Sequence, residues 1–410
     1  MPKLETWQKN LYAIALSQFV GLMGGNLVFP FMPFYVQDLG ITDRDEVAFW
    51  AGLLATSTGV TLFLFSPVWG ALADRFGRKS MLLRAYLGAT VTMGLQGAAQ
   101  NVFQLLALRA LQGAFVGTIP AAMALVASST PERNMPYAMG VLQMAIFTSQ
   151  TTGPLLGGLL ASTVGFRATF VVTAVLFFVA FLIVWVVVKE AFVRPAEGRS
   201  QSGPLAGLPL VFRQRGLLLL IGVLFFLHAA PAFVRPVVPL LVEDFGHVAD
   251  AASLSGAVFA ALAVTSALTA LLVGRAAGRV GSRNALAVAS LGAGLAYLPV
   301  LAVGNVGLLI AVMAVIGLFS GGMLPTTNTL IARSAPAGRQ GAVFGVAGSA
   351  QALAFAVSPL LGGVAASALG IRAGFPMVSA MLVGVGLAVL ALVREPRERR
   401  AEEPEPAVAG

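Results

Sequence analysis

The chain is patterned as long, nearly unbroken apolar blocks separated by short polar breaks. Six blocks, at 11–36, 47–72, 80–98, 102–126, 136–161 and 167–189, precede one longer polar interval. Six more follow it, at 216–242, 251–273, 283–303, 306–332, 340–366 and 372–393. The blocks do not alternate residue by residue, so the roughly 9–11-residue strands of a membrane β-barrel do not fit. A helix needs about 20 predominantly apolar residues to cross the hydrocarbon core. The pattern therefore predicts an all-α integral membrane protein with twelve transmembrane helices. The interval 190–215, "EAFVRPAEGRSQSGPLAGLPLVFRQR", is rich in Pro, Gly, Ser and charge and reads as a linker. The tail 394–410, "REPRERRAEEPEPAVAG", reads as disordered. The expected units are a first bundle over 1–189, the linker over 190–215 and a second bundle over 216–393.

Composition agrees. Of the 410 residues 58% are hydrophobic and 10% charged, and the mean hydropathy is +0.87. Soluble domains average about 45–50% apolar and about 25% charged. Lys3 and Lys9 ahead of an apolar run imitate a signal peptide, but the run from Leu11 to about Val36 is too long for one and reads as an uncleaved first span.

Charge sets the topology. With both termini in the cytoplasm, 21 of the 26 Lys and Arg residues fall on the inner side, three outside (Arg44, Arg167, Arg372) and two inside spans (Arg109, Arg235). This is the positive-inside pattern of a multi-pass protein of the cell (inner or plasma) membrane. It accounts for the net charge of +9 without invoking nucleic acid as a partner. The outer loops are acidic instead, with Asp38, Asp43, Asp45, Glu46, Glu243, Asp244 and Asp250.

The halves repeat each other. "FPFMPFYVQDLG" (29–40) matches "RPVVPLLVEDFG" (235–246), "GALADRFGRKS" (70–80) matches "GRAAGRVGSRN" (274–284), and "GPLLGGLLASTVGFRA" (153–168) matches "SPLLGGVAASALGIRA" (358–373). The offset stays between 204 and 206 residues across all three. Six spans per unit put both halves in the same orientation, a parallel pseudo-two-fold.

These motifs resemble the major facilitator superfamily, and within it the twelve-span drug:proton antiporter branch of multidrug efflux proteins. "GALADRFGRKS" resembles the family's loop between spans two and three, with Gly70, Asp74, Arg75, Gly77, Arg78 and Lys79 in pattern. "LLALRALQG" (105–113) is similar to the span-four motif, with Arg109, Gln112 and Gly113 in place. "SQTTGPLLGG" (149–158) resembles the antiporter motif of span five, departing at Ser149, where glycine is usual. The resemblance covers about residues 8–395, and Gly278 stands where Asp74 stands in the first half.

The resemblance implies the fold of that superfamily, with the loop at 70–79 as a conformational latch between the halves. The plainer reading of that loop is a solvated topogenic anchor, which explains the cations better than Asp74. An arginine at a helix centre costs about 2.5–3.5 kcal/mol on insertion scales, so Arg109 points to function. The resemblance implies proton coupling there, shared by Gln112, Gly113 and Asp38. Gly153, Pro154, Gly157, Gly158 and the repeated Pro359 carry no chemistry and imply bent helices packed through small residues. The substrate cavity is expected at Gln18, Asn26 and Phe29 of span one, His228 and Arg235 of span seven, and Asn328. His228 and Arg235 are two helical turns apart and so share a face.

Other chemistry finds little support. The chain has no cysteine, and its two histidines, His228 and His247, have no paired ligand spacing, so no metal site is expected. There is no GxxxxGK[ST] stretch for nucleotide and no nucleophile–base constellation, so neither an ATP-driven pump nor an enzyme is expected. No cofactor is expected, the proton gradient being the energy source. The expected partners are small-molecule substrates, protons and the bilayer, with a functional monomer. None of the 17 acidic residues falls in the middle of a span, which points to neutral, zwitterionic or weakly anionic amphiphiles rather than cations. Two alternatives stay open on sequence alone: a proton-coupled uptake symporter for a small metabolite, and a non-transporting receptor.

Overall fold

The structure, a computed structural model, describes residues 5–190, 208–246, 250–336 and 340–393. Inside those helices the side chains of 67, 70, 71, 74, 136, 208, 210, 271–280 and 340–342 lie outside the description. Most of the expected linker and all of the tail fall outside the described residues. So do the side chains of Asp74 and of the second-half motif at 274–280.

Every regular element among the described residues is helical. The first half holds α1 (Thr6–Leu27), α2 (Met32–Asp38), α3 (Arg44–Phe76), α4 (Arg78–Gly97), α5 (Val102–Phe115), α6 (Thr118–Ser129), α7 (Met135–Val164) and α8 (Phe166–Val187). A short α9 (Leu208–Arg213) leads into α10 (Arg215–Val234), α11 (Val238–Asp244), α12 (Ala251–Val280) and α13 (Ser282–Tyr297). The chain continues through α14 (Val306–Ser320), α15 (Met323–Ser334), α16 (Gln340–Leu369) and α17 (Gly374–Leu392). In lipid a helix satisfies its own backbone, which is why apolar blocks of this length take no other form.

Ten helical segments are long and apolar enough to cross a membrane. Two helices expected to span, α4 and α7, are not among the ten, although they run 20 and 30 residues. Each carries polar residues that lower its hydropathy: Lys79, Arg84 and Gln96 in α4, and Gln143 and the run Thr148–Thr152 in α7.

Four expected blocks are interrupted, in matching places. The first span breaks between α1 and α2 around Pro30 and Pro33, and its repeat breaks between α10 and α11 around Pro236 and Pro239. The block at 102–126 is two helices, parted at Gly117 with φ +139°, and the block at 306–332 parts at Gly321 and Gly322. The turns repeat too. Gly77 ends α3 at φ +88° and donates to the Ala73 carbonyl at 3.0 Å, while Gly281 takes φ +85° between α12 and α13. A left-handed φ costs glycine nothing, which is what these tight turns require.

Side-chain contacts mark the two ends of the molecule. Near the start of α1, Asn10 and Lys189 exchange side-chain–backbone hydrogen bonds, Lys79 donates to the Val188 carbonyl at 2.6 Å, and Arg283 donates to the carbonyls of Val389 and Leu390. At the remote end Asp38 pairs with Arg167 at 4.0 Å, Arg372 donates to the Leu301 carbonyl at 2.7 Å, and Arg44 pairs with Asp244.

The halves meet along two helix pairs, α3 with α16 and α7 with α12. Glycines set both seams. A Cβ on Gly158 would collide with the Ala252 carbonyl of α12, and one on Gly363 would sit 2.5 Å from the Ala48 carbonyl of α3. Their neighbours face inward: a Cβ on Gly157 would collide with the Leu27 carbonyl and one on Gly362 with the Phe233 carbonyl. The partners obey the sequence offset, Leu27 with Phe233 and Ala48 with Ala252, so the repeat extends to three-dimensional contacts. Across the α3–α16 seam, the Leu360 amide also donates to the Thr56 hydroxyl at 3.0 Å.

Gly158→Val should therefore force α7 and α12 apart and cost about 1–3 kcal/mol, the usual range for overpacking. Thermal unfolding in detergent measures it. Gly140→Ala, where a Cβ would meet nothing within 4 Å, should leave the transition unchanged or raise it slightly. A Gly158→Val protein melting with the parent contradicts the seam.

Candidate functional site

Arg109 lies on α5 in the core of the first half, 6% exposed. Its contacts are neutral: the Gln112 Oε1 at 3.5 Å and the Met32 sulfur at 3.5 Å, while its Nε is buried without a partner. Gln112 also accepts from Gln96 Nε2 at 3.0 Å, and Tyr35 donates to the Gln96 carbonyl at 2.8 Å. Gly113, one turn on, lets α5 press against α3, since a Cβ there would collide with Thr61 and the Thr58 carbonyl. The Thr58 hydroxyl closes the same contact by donating to the Arg109 carbonyl at 3.1 Å. A guanidinium stays protonated at any ordinary pH, so Arg109 is a permanent buried charge held by dipoles alone. Asp38 does not join it. That carboxylate is half exposed and paired with Arg167 at the remote end.

Between the halves, Arg235 lays its guanidinium over the Phe29 ring, 4.0 Å from the centroid. This is a cation–π contact from the start of the second half to the first span. Two turns earlier on α10, His228 binds the Leu224 carbonyl through Nδ1 at 2.9 Å and meets the edge of Phe355, whose centroid is 5.8 Å away. Asn26 lies at the end of α1 against Gly153. Of these four sequence-predicted residues, Arg235 and Phe29 meet across the halves, while Asn26 packs on α7 within the first half and His228 on α16 within the second.

The two other cavity candidates have different surroundings. Gln18 is fully buried inside the first half, donating to Tyr86 at 2.9 Å and to the Thr118 carbonyl at 3.3 Å. It is a core residue joining α1 to α4 and α6. Asn328 is exposed on α15.

The described end of the loop 70–79, Arg78 and Lys79, makes its contacts inside its own half. Gly70 and Asp74 lie on the last turns of α3, and Gly77 makes the turn. Glu190 then caps α4: its carboxylate accepts from the amides of Arg78 and Lys79, each at 2.9 Å. A carboxylate at a helix N-terminus satisfies otherwise unpaired donors and meets the positive dipole end. Lys79 returns the favour at the end of α8, donating to the carbonyls of Trp185 at 3.0 Å and Val188 at 2.6 Å. Arg78 reaches the Ala124 carbonyl at 2.8 Å, and Arg75 lies exposed beside the Phe76 ring. Glu190 has no sequence signal of its own, because its partners are more than a hundred positions away.

Arg84 is a further cation, which lies within the block 80–98 but was counted with the inner-side cations rather than with those inside spans. It sits in α4 over the Trp69 ring at 3.4 Å, with Nε and Nη1 buried and unpartnered, while Trp69 donates to the Ala114 carbonyl at 2.6 Å. Its signal was available: it follows the Gly77 turn by seven residues, two helical turns into the span.

The model of the Major Facilitator Superfamily matches residues 14–265 and 223–409. Multidrug resistance protein MdtG of Proteus mirabilis is 31% identical over 383 residues, covering 93% of this chain and 95% of the relative. Multidrug resistance protein MdtG of Salmonella typhimurium is 32% identical over 378 residues, 92% of this chain and 93% of the relative. Among solved structures, the nucleoside transporter NupG superposes at TM-score 0.72 with 13% identity, and the human organic anion transporter MFSD10 at 0.63 with 21%; each alignment covers 94% of this chain and 100% of the other. The chain belongs to the major facilitator superfamily and is a multi-pass membrane protein.

Removing the cap should be felt locally. Glu190→Ala should destabilise the first half by about 1 kcal/mol, in the range for lost N-caps, and Glu190→Gln, which keeps acceptor capacity on one oxygen, by less. Thermal unfolding of the purified protein measures both. Equal losses would mean that the carboxylate does not act as the cap.

Proposed function

We propose that this member of the major facilitator superfamily is a proton-coupled secondary transporter that exports small lipophilic or amphipathic molecules by alternating access. In this reading α4 and α7 join the ten apolar segments as spans three and five, giving twelve spans in two six-helix bundles with both termini cytoplasmic. A functional monomer suffices. The observation that carries the reading is the symmetric seam of α3–α16 and α7–α12 with a buried, uncompensated Arg109 packed beside one of its helices. Two halves that meet through bare glycine backbone can rock against each other without unmaking their own cores. Relatives named multidrug resistance proteins, at 31–32% identity over almost the whole chain, favour export.

Arg109 contributes a fixed positive charge in a medium of low dielectric. Such a charge favours the ionised form of any acid brought near it, and so promotes proton release. No carboxylate touches it among the described residues, so the coupling acid must approach it in another state or enter with the substrate. Asp74 closes the termini side when the remote side opens. Among the described contacts, its neighbours Arg78 and Lys79 brace the half that carries it. Arg235, His228, Asn26 and Phe29 form the substrate junction. With the Arg235 cation there and no mid-span carboxylate, the substrates are neutral, zwitterionic or weakly anionic.

The direct test is dye transport in inverted vesicles with and without an imposed pH gradient. Accumulation should require the inside-acid gradient, whereas gradient-independent accumulation, or movement in the opposite direction, overturns the reading. Arg109→Ala should abolish gradient-driven transport while membrane insertion survives, because insertion gains from losing a buried charge. Asp74→Asn should cut transport severely if it is a latch; normal transport would leave the loop a topogenic anchor. Arg235→Ala should alter the ranking of anionic against neutral substrates more than it alters the gradient dependence. An unchanged ranking removes Arg235 from the junction.

A further inference from the structure

The only ion pairs between the halves among the described residues lie at the end remote from the termini. Arg44 is the first residue of α3, and Asp43 fixes that turn by accepting from the amides of Asp45 and Glu46, each at 3.0 Å. The Arg44 guanidinium bonds Asp244 and lies 3.5 Å from Glu243 Oε2, both at the end of α11 in the other half. Gln37 of the first half donates to the same Glu243, 3.4 Å from one oxygen and 3.1 Å from the other.

The internal repeat makes this arrangement informative. In the aligned repeats Gln37 corresponds to Glu243, Asp38 to Asp244, and Arg167 to Arg372. In the first half Asp38 pairs with Arg167 at 4.0 Å, within its own half. In the second half the equivalent pair is not made. Arg372 donates instead to the Leu301 carbonyl at 2.7 Å and lies 5.9 Å from the Phe245 ring. Asp244 is thereby left for Arg44. No Lys or Arg occurs between 236 and 274, so α12 opens without a cation to make the mirror-image contact. Where the repeat predicts two symmetric ion pairs inside the halves, one has been redirected to join them.

We propose that Arg44, Gln37, Glu243 and Asp244 form an electrostatic clasp that holds the halves shut at the remote end and must release before a path opens there. The proposal rests on the alternating-access reading above. The clasp can exist only where α11 and the start of α3 are adjacent, so it stabilises one state and not the other; only such a differential contact moves a two-state equilibrium. Its position makes it releasable. The Arg44 side chain is 44% exposed, so water can replace the lost partners, while Glu243, at 13%, is screened least.

The cysteine-free chain allows a direct test. Ala48, one turn from Arg44 and fully buried against Gly363, is replaced by cysteine in the full-length protein in proteoliposomes. Its rate of reaction with a membrane-impermeant maleimide reports opening at that end, and Ala252→Cys on the other seam is a second reporter should the first disturb assembly. Arg44→Gln and Asp244→Asn should each raise the rate about threefold or more, and the double variant no further than the larger single, because both remove one interaction. Asp38→Asn, which breaks the pair inside the first half, should leave the rate at the parent value. Unchanged rates in both singles, multiplying effects in the double, or an equal rise in Asp38→Asn each overturn the clasp. The rates are read without substrate or gradient, so a failed transport assay leaves this result standing, and the reverse.

Discussion

The constraint on which the rest depends is the approach of bare backbone at four glycines, Gly157, Gly158, Gly362 and Gly363. Lipid tails are as apolar as leucine, so no hydrophobic force draws one transmembrane helix to another. What remains is close packing, and close packing needs surfaces without side chains. Each glycine pair does two things at once. One member receives a carbonyl from its own half, Leu27 or Phe233, and its neighbour receives one from the other half, Ala252 or Ala48. The same turn of helix therefore ties α7 or α16 into its own half and sets how near the other half can come. Pro154 and Pro359, just before each pair, interrupt the helical hydrogen bonding, and their carbonyls face Gly256 and Gly52 across the seam. Bend and contact are encoded within a few consecutive residues, twice.

That economy explains what could be read from the sequence. The repeat was legible because packing of this kind demands the same residue types at the same register, and the offset that relates the motifs also relates the carbonyls they receive. The apolar blocks gave helices and their order. The breaks at Gly117 and at Gly321–Gly322 were not legible, since glycine inside an apolar block serves equally as packing surface. The surroundings of Gln18 were not legible for a related reason. A polar residue in a span can face a cavity or satisfy a partner in the core, and Tyr86 and the Thr118 carbonyl, which decide it, lie 68 and 100 positions away. Glu190 and the redirected Asp244 were invisible for the same cause: their roles reside in partners that only the fold brings near. Arg84 was the one recoverable miss, because a turn closed by Gly77 already implied that the helix had begun.

The interior cations share a feature that distinguishes them from those at the surface. Arg109 rests on Gln112 and Met32, Arg235 on Phe29 and Arg84 on Trp69. None of the three has a carboxylate partner among the described ion pairs. A buried charge paired to an opposite charge is stable and inert; one held by ring faces and amide dipoles keeps much of its attraction for an anion unspent. The glutamine and aromatic neighbours lower the cost of burial without neutralising the site. These are the positions at which an arriving proton, carboxylate or substrate changes the local energy most.

Among the described residues the contacts that join the halves through charge lie at the remote end, and in the proposed mechanism that bears on how the halves move. Beside the termini, Glu190 caps α4, Lys79 closes α8, Arg78 reaches α6 and Arg283 reaches α17, and every one of these contacts stays inside one half. At the remote end the Arg44 contacts cross from one half to the other. The contacts described near the termini therefore tie helices together within a half, while the Arg44 contacts tie one half to the other. In the proposed mechanism a half that moves as one body carries a change at the remote contacts to the termini side without a dedicated chain of intermediate residues. In that reading the described cations beside the termini do more than contribute to a positive-inside pattern: they brace the halves between which the proposed clasp acts.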